Sequence, residues 1–241
     1  MSRTKKKSNN NGNNNHLVSF GLELANIQPL TENQKIVFEN FEQNYHQALI
    51  GVAGTGKSFI SLYLAFKYAT EQWNHYIPVK ILIIKSAVPT RDIGFLPGTL
   101  DDKIKYYEDV YKVLINKLFH RDDAFSILSD KGVLEFTTTS FLRGTTFENS
   151  VVIIDEIQNM SFHELDTIIT RVGKGCKLFF VGDEEQCDLD QKKSGFTKFI
   201  NILEKMKSFA IVRFQLEDIV RDDVVKEYLI AKYFNTSNKC T

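Results

Sequence analysis

The chain has 241 residues, 43% hydrophobic and 25% charged, an ordinary globular composition with length for one full core or one domain with an insertion. Thirty Lys and Arg balance thirty Asp and Glu, and zero net charge excludes a general basic field for gripping nucleic acid, though not a local basic patch. Cys176, Cys187 and Cys240 are odd in number, widely spaced and free of any C-x-x-C, which argues against a disulfide framework or a zinc site and fits a reducing cytoplasm. No apolar run approaches the length of a membrane span.

Residues 1–15 are mostly Ser, Lys and Asn and read as a disordered tail. Lys5 to Lys7 have no apolar stretch behind them, so they do not open a signal peptide. The tail lysines are either solvated or a nucleic-acid contact. Residues 16–241 read as a single domain, with a helical insertion near residues 99–120. A helix opens at Thr31, with Val37, Phe38, Phe41 and Tyr45 on its apolar face. Thr31 and Gln34 fit the S/T-x-x-E/Q capping box. Gln34 has a second reading as an adenine reader, because an amide both donates to and accepts from the adenine edge.

Gln47 to Ile50 is a short buried strand, and Phe59 to Phe66 a helix without breakers. Between them Gly51-Val52-Ala53-Gly54-Thr55-Gly56-Lys57-Ser58 fits G-x-x-x-x-G-K-[ST], the phosphate-binding P-loop. Glycines let the backbone curl until its N–H groups face one point, and the new helix adds its partial positive charge. Lys57 is expected to reach the β- and γ-phosphates of ATP, and Ser58 to hold Mg²⁺.

Val79 to Ile84 is a second strand, apolar throughout as in a parallel sheet covered on both faces. Ser86 to Arg91 follow at its carboxyl end, where open α/β sheets place ligands. Gly94 to Gly98 form a turn. Leu100, Ile104, Tyr107, Tyr111, Leu114 and Leu118 then mark a helix with a solvated opposite face. Val133 to Phe136 is a third strand, ending in the polar loop Thr137 to Gly144. Val151 to Ile154 is a fourth and delivers Asp155 and Glu156. Asp155 is placed to hold Mg²⁺ through its water shell, and Glu156 to polarise the attacking water as general base. Ser161 and Glu164 form another capping box, with Leu165, Ile168, Ile169 and Val172 at helical spacing. Lys177 to Val181 is a fifth strand, ending in Gly182-Asp183-x-x-Gln186, where Gln186 is a candidate γ-phosphate sensor. A helix at Phe196 to Leu203, a sixth strand at Phe209 to Leu216 and a helix from about Asp222 to Tyr233 complete the series. Strand and helix alternate throughout, which predicts an α/β P-loop NTPase with a parallel sheet and helices on both faces.

The motif set resembles the PhoH family of P-loop ATPases, whose core is similar to the first RecA-like domain of superfamily 1 helicases. The residues are Gly51 to Ser58, Gly94 to Gly98, Phe141-Leu142-Arg143-Gly144, Asp155 to Asn159, Thr170-Arg171-Val172-Gly173, Gly182-Asp183-x-x-Gln186-x-Asp188-Leu189, Ile219-Val220-Arg221 and Val224-Val225. Thr145 stands where family members usually have a second arginine, which weakens any role for that loop toward nucleic acid or a neighbouring subunit. Ile157 replaces the usual alanine. In superfamily 1 helicases a glutamine placed like Gln34 reads adenine, and an arginine placed like Arg221 contacts the γ-phosphate. The resemblance implies an ATP- and Mg²⁺-dependent ATPase, single-stranded RNA or DNA as partner, cytoplasmic location and induction in phosphate starvation. A single-domain subunit is expected to complete its site in a head-to-tail homo-oligomer, a hexamer by the resemblance, and Arg171, at the end of the helix after Asp155 and Glu156, is a candidate arginine finger toward a neighbour's nucleotide. Arg171 has a second reading as a cap on its own helix's carbonyls. A regulatory ATP-binding switch acting on a protein partner is the alternative function. A P-loop kinase is the poorer one, since kinases have no use for the strand-end set. With few residues after Arg221, a single-domain subunit without a second RecA-like domain or an appended nuclease is expected.

Overall fold

Six apolar runs become neighbours in one sheet. The computed structural model describes residues 17–86, 100–142, 144, 146–183 and 195–237. Strands β3 (His46–Gly51), β4 (Lys80–Lys85), β5 (Leu134–Thr138), β6 (Ser150–Asp155), β7 (Lys177–Gly182) and β8 (Phe209–Phe214) lie in the order β5-β4-β6-β7-β3-β8. Every pairing in this sheet is parallel. The strands are apolar on both sides because helices cover both. Leu49, Ile81, Ile83, Ile153, Phe179 and Val181 face α1 (Glu32–Glu42), α2 (Lys57–Asn74), α3 (Leu100–Leu118) and α4 (Ala124–Asp130). Their neighbours Ala48, Ile50, Ile84, Ile154, Leu178 and Phe180 face α5 (Phe162–Ile169) and α6 (Phe196–Leu203). This is the doubly covered parallel sheet that the alternating elements predict, RecA-like as the family resemblance implies. Helix α7 (Asp223–Ser237) follows β8. Among the described residues, no helix is long and apolar enough to cross a membrane.

Three features differ from the sequence reading. A hairpin of β1 (Leu17–Ser19) and β2 (Leu22–Leu24) precedes α1. Its turn places Phe20 and Gly21 both at positive φ, 58° and 76°, a tight primed turn that favours Asn-Gly and hides behind a phenylalanine. The Phe20 ring lies against Trp73 at 5.1 Å between centroids. Helix α4 was missed because seven residues with two buried apolar side chains, Ala124 and Leu128, give no readable period. The last strand stops at Phe214 rather than Leu216. A 3₁₀ turn, Leu216–Asp218, takes over, with Asp218 accepting from the Gln215 N–H at 2.8 Å and from Asn33 Nδ2 at 2.7 Å.

A buried lysine fastens the other end of the sheet. Lys177, first residue of β7, donates to Phe41 O at 3.0 Å, which also accepts from the Asn44 N–H at 3.1 Å, and to Asn44 Oδ1 at 2.8 Å, fastening β7 to the end of α1. Its ammonium also sits 4.1 Å from the Phe41 ring centroid.

Candidate nucleotide site

The site forms where β3, β6 and β7 end side by side. After β3 the chain turns through glycines that no other residue replaces easily. Gly51 has φ +129°, and a Cβ there would lie 2.0 Å from Phe214 O on the paired strand. Gly56 is the N-cap of α2 in the left-handed region, φ +83°. The loop they frame is closed on its own lysine. Lys57 Nζ donates to Gly51 O at 2.6 Å, Val52 O at 2.7 Å and Thr55 Oγ1 at 3.3 Å, so all three of its N–H bonds point into the loop. Lys57 is 8% exposed. Burial lowers its pKa below the ordinary lysine value, against the opposing pull of Asp183, Asp155 and Glu156.

The carboxylates come from β6. Ser58 Oγ donates to Asp155 Oδ2 at 3.2 Å, joining residues 97 positions apart. Asp155 Oδ1 accepts from the Glu156 N–H at 3.0 Å, and Oδ2 accepts from the Tyr111 hydroxyl. In a continuing strand Asp155 and Glu156 would point to opposite faces. Glu156 instead takes a left-handed backbone, φ +60° and ψ +41°, which turns the chain so that both side chains line one cleft. Gln158 fixes the second carboxylate. Its Nε2 donates to Glu156 Oε2 at 2.5 Å while its Oε1 accepts from the Asp183 N–H at 3.0 Å, tying β6 to the end of β7. Burial, then repulsion from Asp155, raises the Glu156 pKa above the ordinary carboxylate value, partly offset by Lys85 and the Gln158 bond.

The cleft measures about 280 Å³ and is lined by Gly54, Lys57, Ser58, Asp155, Glu156, Asp183 and Arg221, among others. Arg221 arrives by a backbone contact: the Val220 N–H donates to Gly54 O at 3.0 Å, docking the segment after β8 on the P-loop. Gln34 meets the loop from below and is 3% exposed. Its N–H donates to Thr31 Oγ1 at 3.3 Å, half of the expected capping box. The side chain does not return to Thr31. Oε1 accepts from the Leu30 N–H at 2.7 Å and Nε2 donates to Thr55 O at 3.0 Å, so Gln34 clamps α1 to the P-loop. At Ser161 the full capping box forms with Glu164, which also accepts from Ser86 Oγ and Thr139 Oγ1 and gathers the ends of β4 and β5.

Some expected site residues fall elsewhere. Arg171 follows α5 and is not among the cleft-lining residues; its N–H donates to Ile168 O at 3.1 Å. Phe141 is 53% exposed rather than core. Gln186, Arg91, Arg143, Thr145 and Gly94 to Gly98 lie outside the described residues, as do residues 1–16. Sequence reasoning missed Tyr111 as a partner of Asp155, because it lies on the apolar stripe of α3. It quoted Gln158 within a motif without seeing its clamp.

Glycine loop, helix start, strand-end carboxylates and parallel sheet together define the P-loop NTPase fold. Residues 26–233 match the family model described as "PhoH-like protein", and the chain belongs to that family. It is 31% identical over 208 residues to the PhoH-like protein of Mycobacterium leprae, covering 85% of this chain and 58% of the relative. It is 34% identical over 184 residues to Protein PhoH of Escherichia coli K12, covering 75% and 51%. The chain thus spans about half the length of the curated relatives it matches. Among solved structures, Pif1 helicase from Candida albicans aligns with a TM-score of 0.35 at 17% identity, over 78% of this chain and 40% of that one. The Aeropyrum pernix ORC1 protein, solved in complex with DNA, aligns with a TM-score of 0.35 at 13% identity, over 85% and 50%.

Proposed function

We propose that the cleft binds ATP with Mg²⁺, hydrolyses it, and couples turnover to remodelling of single-stranded nucleic acid, RNA foremost. The observation that carries the reading is the Ser58–Asp155 hydrogen bond. It brings the P-loop hydroxyl to a strand-end carboxylate with a second carboxylate, Glu156, on the same cleft. The donors suit Mg²⁺, a hard cation that takes oxygen and is usually held by one or two carboxylates plus phosphates and water. Among the described residues no group of three or more His, Cys, Asp or Glu is placed to hold a metal ion by itself. When bound, Mg²⁺ neutralises charge on the β- and γ-phosphate oxygens.

The chain's own groups divide the remaining work. Lys57 releases the carbonyls of Gly51 and Val52 and turns its ammonium to the β- and γ-phosphates, a charge-for-dipole exchange that favours the ligand. The P-loop amides of Gly51 to Ser58 cradle the phosphates. Glu156 takes the proton of the attacking water, and its raised pKa moves it toward the range where a base is effective. Arg221 lies on the cleft wall and meets the γ-phosphate in cis; Gln186 senses it. Gln34 exchanges its bonds to Leu30 and Thr55 for the adenine edge. Arg171, away from its own cleft, acts on the nucleotide of the next subunit in a head-to-tail ring, a hexamer by family resemblance. The cytoplasm is the compartment this chemistry fits. Exposed Phe141, just after β5, offers a ring on which a base stacks.

Steady-state hydrolysis with Mg²⁺ or EDTA, with and without single-stranded RNA or DNA at low salt, tests the reading. Mg²⁺-dependent hydrolysis that rises with nucleic acid supports it. Hydrolysis indifferent to nucleic acid supports instead the regulatory switch acting on a protein, which the zero net charge favours. No hydrolysis under any condition refutes both the enzyme and its coupling.

A further inference from the structure

Helix α3 enters the site from outside the strand-end set. Tyr111 at its middle is 1% exposed, and its hydroxyl donates to Asp155 Oδ2. The ring is held independently of that bond: Phe136 packs edge-on at 5.4 Å between centroids, and Lys85 Nζ lies 5.6 Å from the ring centre. Val110 and Leu114 of the same helix line the cleft wall. Asp155 therefore receives donors from three directions: Ser58 at the P-loop, its own next backbone N–H, and a tyrosine fixed in the apolar core.

We propose that Tyr111 is the positioning residue of the metal site, holding Asp155 in the orientation in which its carboxylate serves Mg²⁺. This rests on the reading of Asp155 as the metal-holding carboxylate. The physical reason is rotational. A carboxylate turns freely about χ2, and Ser58 and the Glu156 N–H contact it only from the loop and the strand. The Tyr111 hydroxyl adds a third donor from the side of α3, to the Oδ2 that Ser58 also contacts, and its buried ring holds that donor in place. Partners of this kind orient metal-binding carboxylates, and their loss typically lowers metal affinity by about 10–100-fold.

Tyr111→Phe removes the hydroxyl and leaves the ring with its contacts to Phe136 and Lys85. Binding of a fluorescent ATP analogue is followed by anisotropy during a Mg²⁺ titration and again in EDTA, with Tm measured on the nucleotide-free proteins. The Mg²⁺ concentration giving half-maximal tight binding should rise about 10–100-fold in the variant, with affinity in EDTA unchanged. Asp155→Asn alone should shift the same midpoint, and adding Tyr111→Phe to it should shift it little further, since both act through one carboxylate. A Mg²⁺-responsive parent with an unshifted Tyr111→Phe midpoint overturns the role of Tyr111 alone. Equal losses with Mg²⁺ and with EDTA also overturn it, as they mark a merely structural tyrosine. A parent whose nucleotide binding ignores Mg²⁺ removes the metal reading and this inference together.

Discussion

Replacing Glu156 by glutamine separates its chemistry from its charge. The side chain keeps its length, and its remaining carbonyl oxygen still accepts from Gln158 Nε2, so the clamp between β6 and β7 survives. What is lost is the ability to take a proton. A positioned general base contributes about 10²–10⁴-fold, about 2.7–5.4 kcal/mol at 1.36 kcal/mol per decade, and kcat should fall by that factor. ATP affinity should be equal or tighter, because one of the carboxylates facing the phosphates has lost its charge. Stability should move the other way from activity. Burial and Asp155 raise the Glu156 pKa in the folded chain, so the folded state binds that proton more tightly than the unfolded state does. The resulting penalty is absent below the unfolded carboxylate pKa, develops as pH rises, and is complete above the folded pKa. Glu156→Gln removes it. Its Tm should exceed that of the parent at pH 8, and the gap should close as pH falls below about 4. Single-turnover hydrolysis, nucleotide titration and thermal melts at both pH values give the three readings. A kcat within about threefold of the parent would place the base elsewhere, since that is below the least a general base supplies.

Lys57→Ala should abolish turnover and weaken ATP binding by about 10–150-fold in an equilibrium titration, the loss of a charged hydrogen bond of about 1.5–3 kcal/mol. Equal binding losses in this variant and in Glu156→Gln would show that the two residues do not divide binding from hydrolysis. Gln34→Ala strands the buried Thr55 O, at about 1–3 kcal/mol, and frees the part-buried Leu30 N–H, so Tm should fall. If Gln34 also reads adenine, the ATP-over-GTP preference falls with it; a lower Tm with unchanged preference leaves only the clamp. Mixing Arg171→Ala with Lys57→Ala subunits should restore part of the ATPase rate, whereas a fully active monomer by light scattering would rule out the trans finger. Lys177→Met removes the ammonium's hydrogen bonds to Phe41 O and Asn44 Oδ1, while Phe41 O keeps the Asn44 N–H, and should cost about 1.5–3 kcal/mol in denaturant melts, the range for a hydrogen bond to a charged group, with nucleotide affinity unchanged because Lys177 lies at the opposite end of the strands.

Local pattern carried much of this protein. The P-loop spacing, the apolar runs of the six sheet strands and the Ser161–Glu164 box are all statements about neighbours in sequence, and each found its element within a few residues. Failures came where the signal was too short or its chemistry unusual, as in the seven-residue α4 and the Phe20–Gly21 turn. Contacts between distant segments were beyond reach. Gln34 reads equally as a cap or as a reader until Leu30 and Thr55 are seen to hold its amide. Tyr111 scans as one more apolar position on α3, because periodicity records which face is buried but not which polar atom waits there. The sequence alone determined which runs form the six strands of the main sheet, which loop can cradle phosphate and which carboxylates end a strand. Only the tertiary structure decided how those carboxylates meet the loop. Strand order sets that meeting, and order follows from packing two apolar faces against two layers of helices, a property of the whole sheet rather than of any stretch within it.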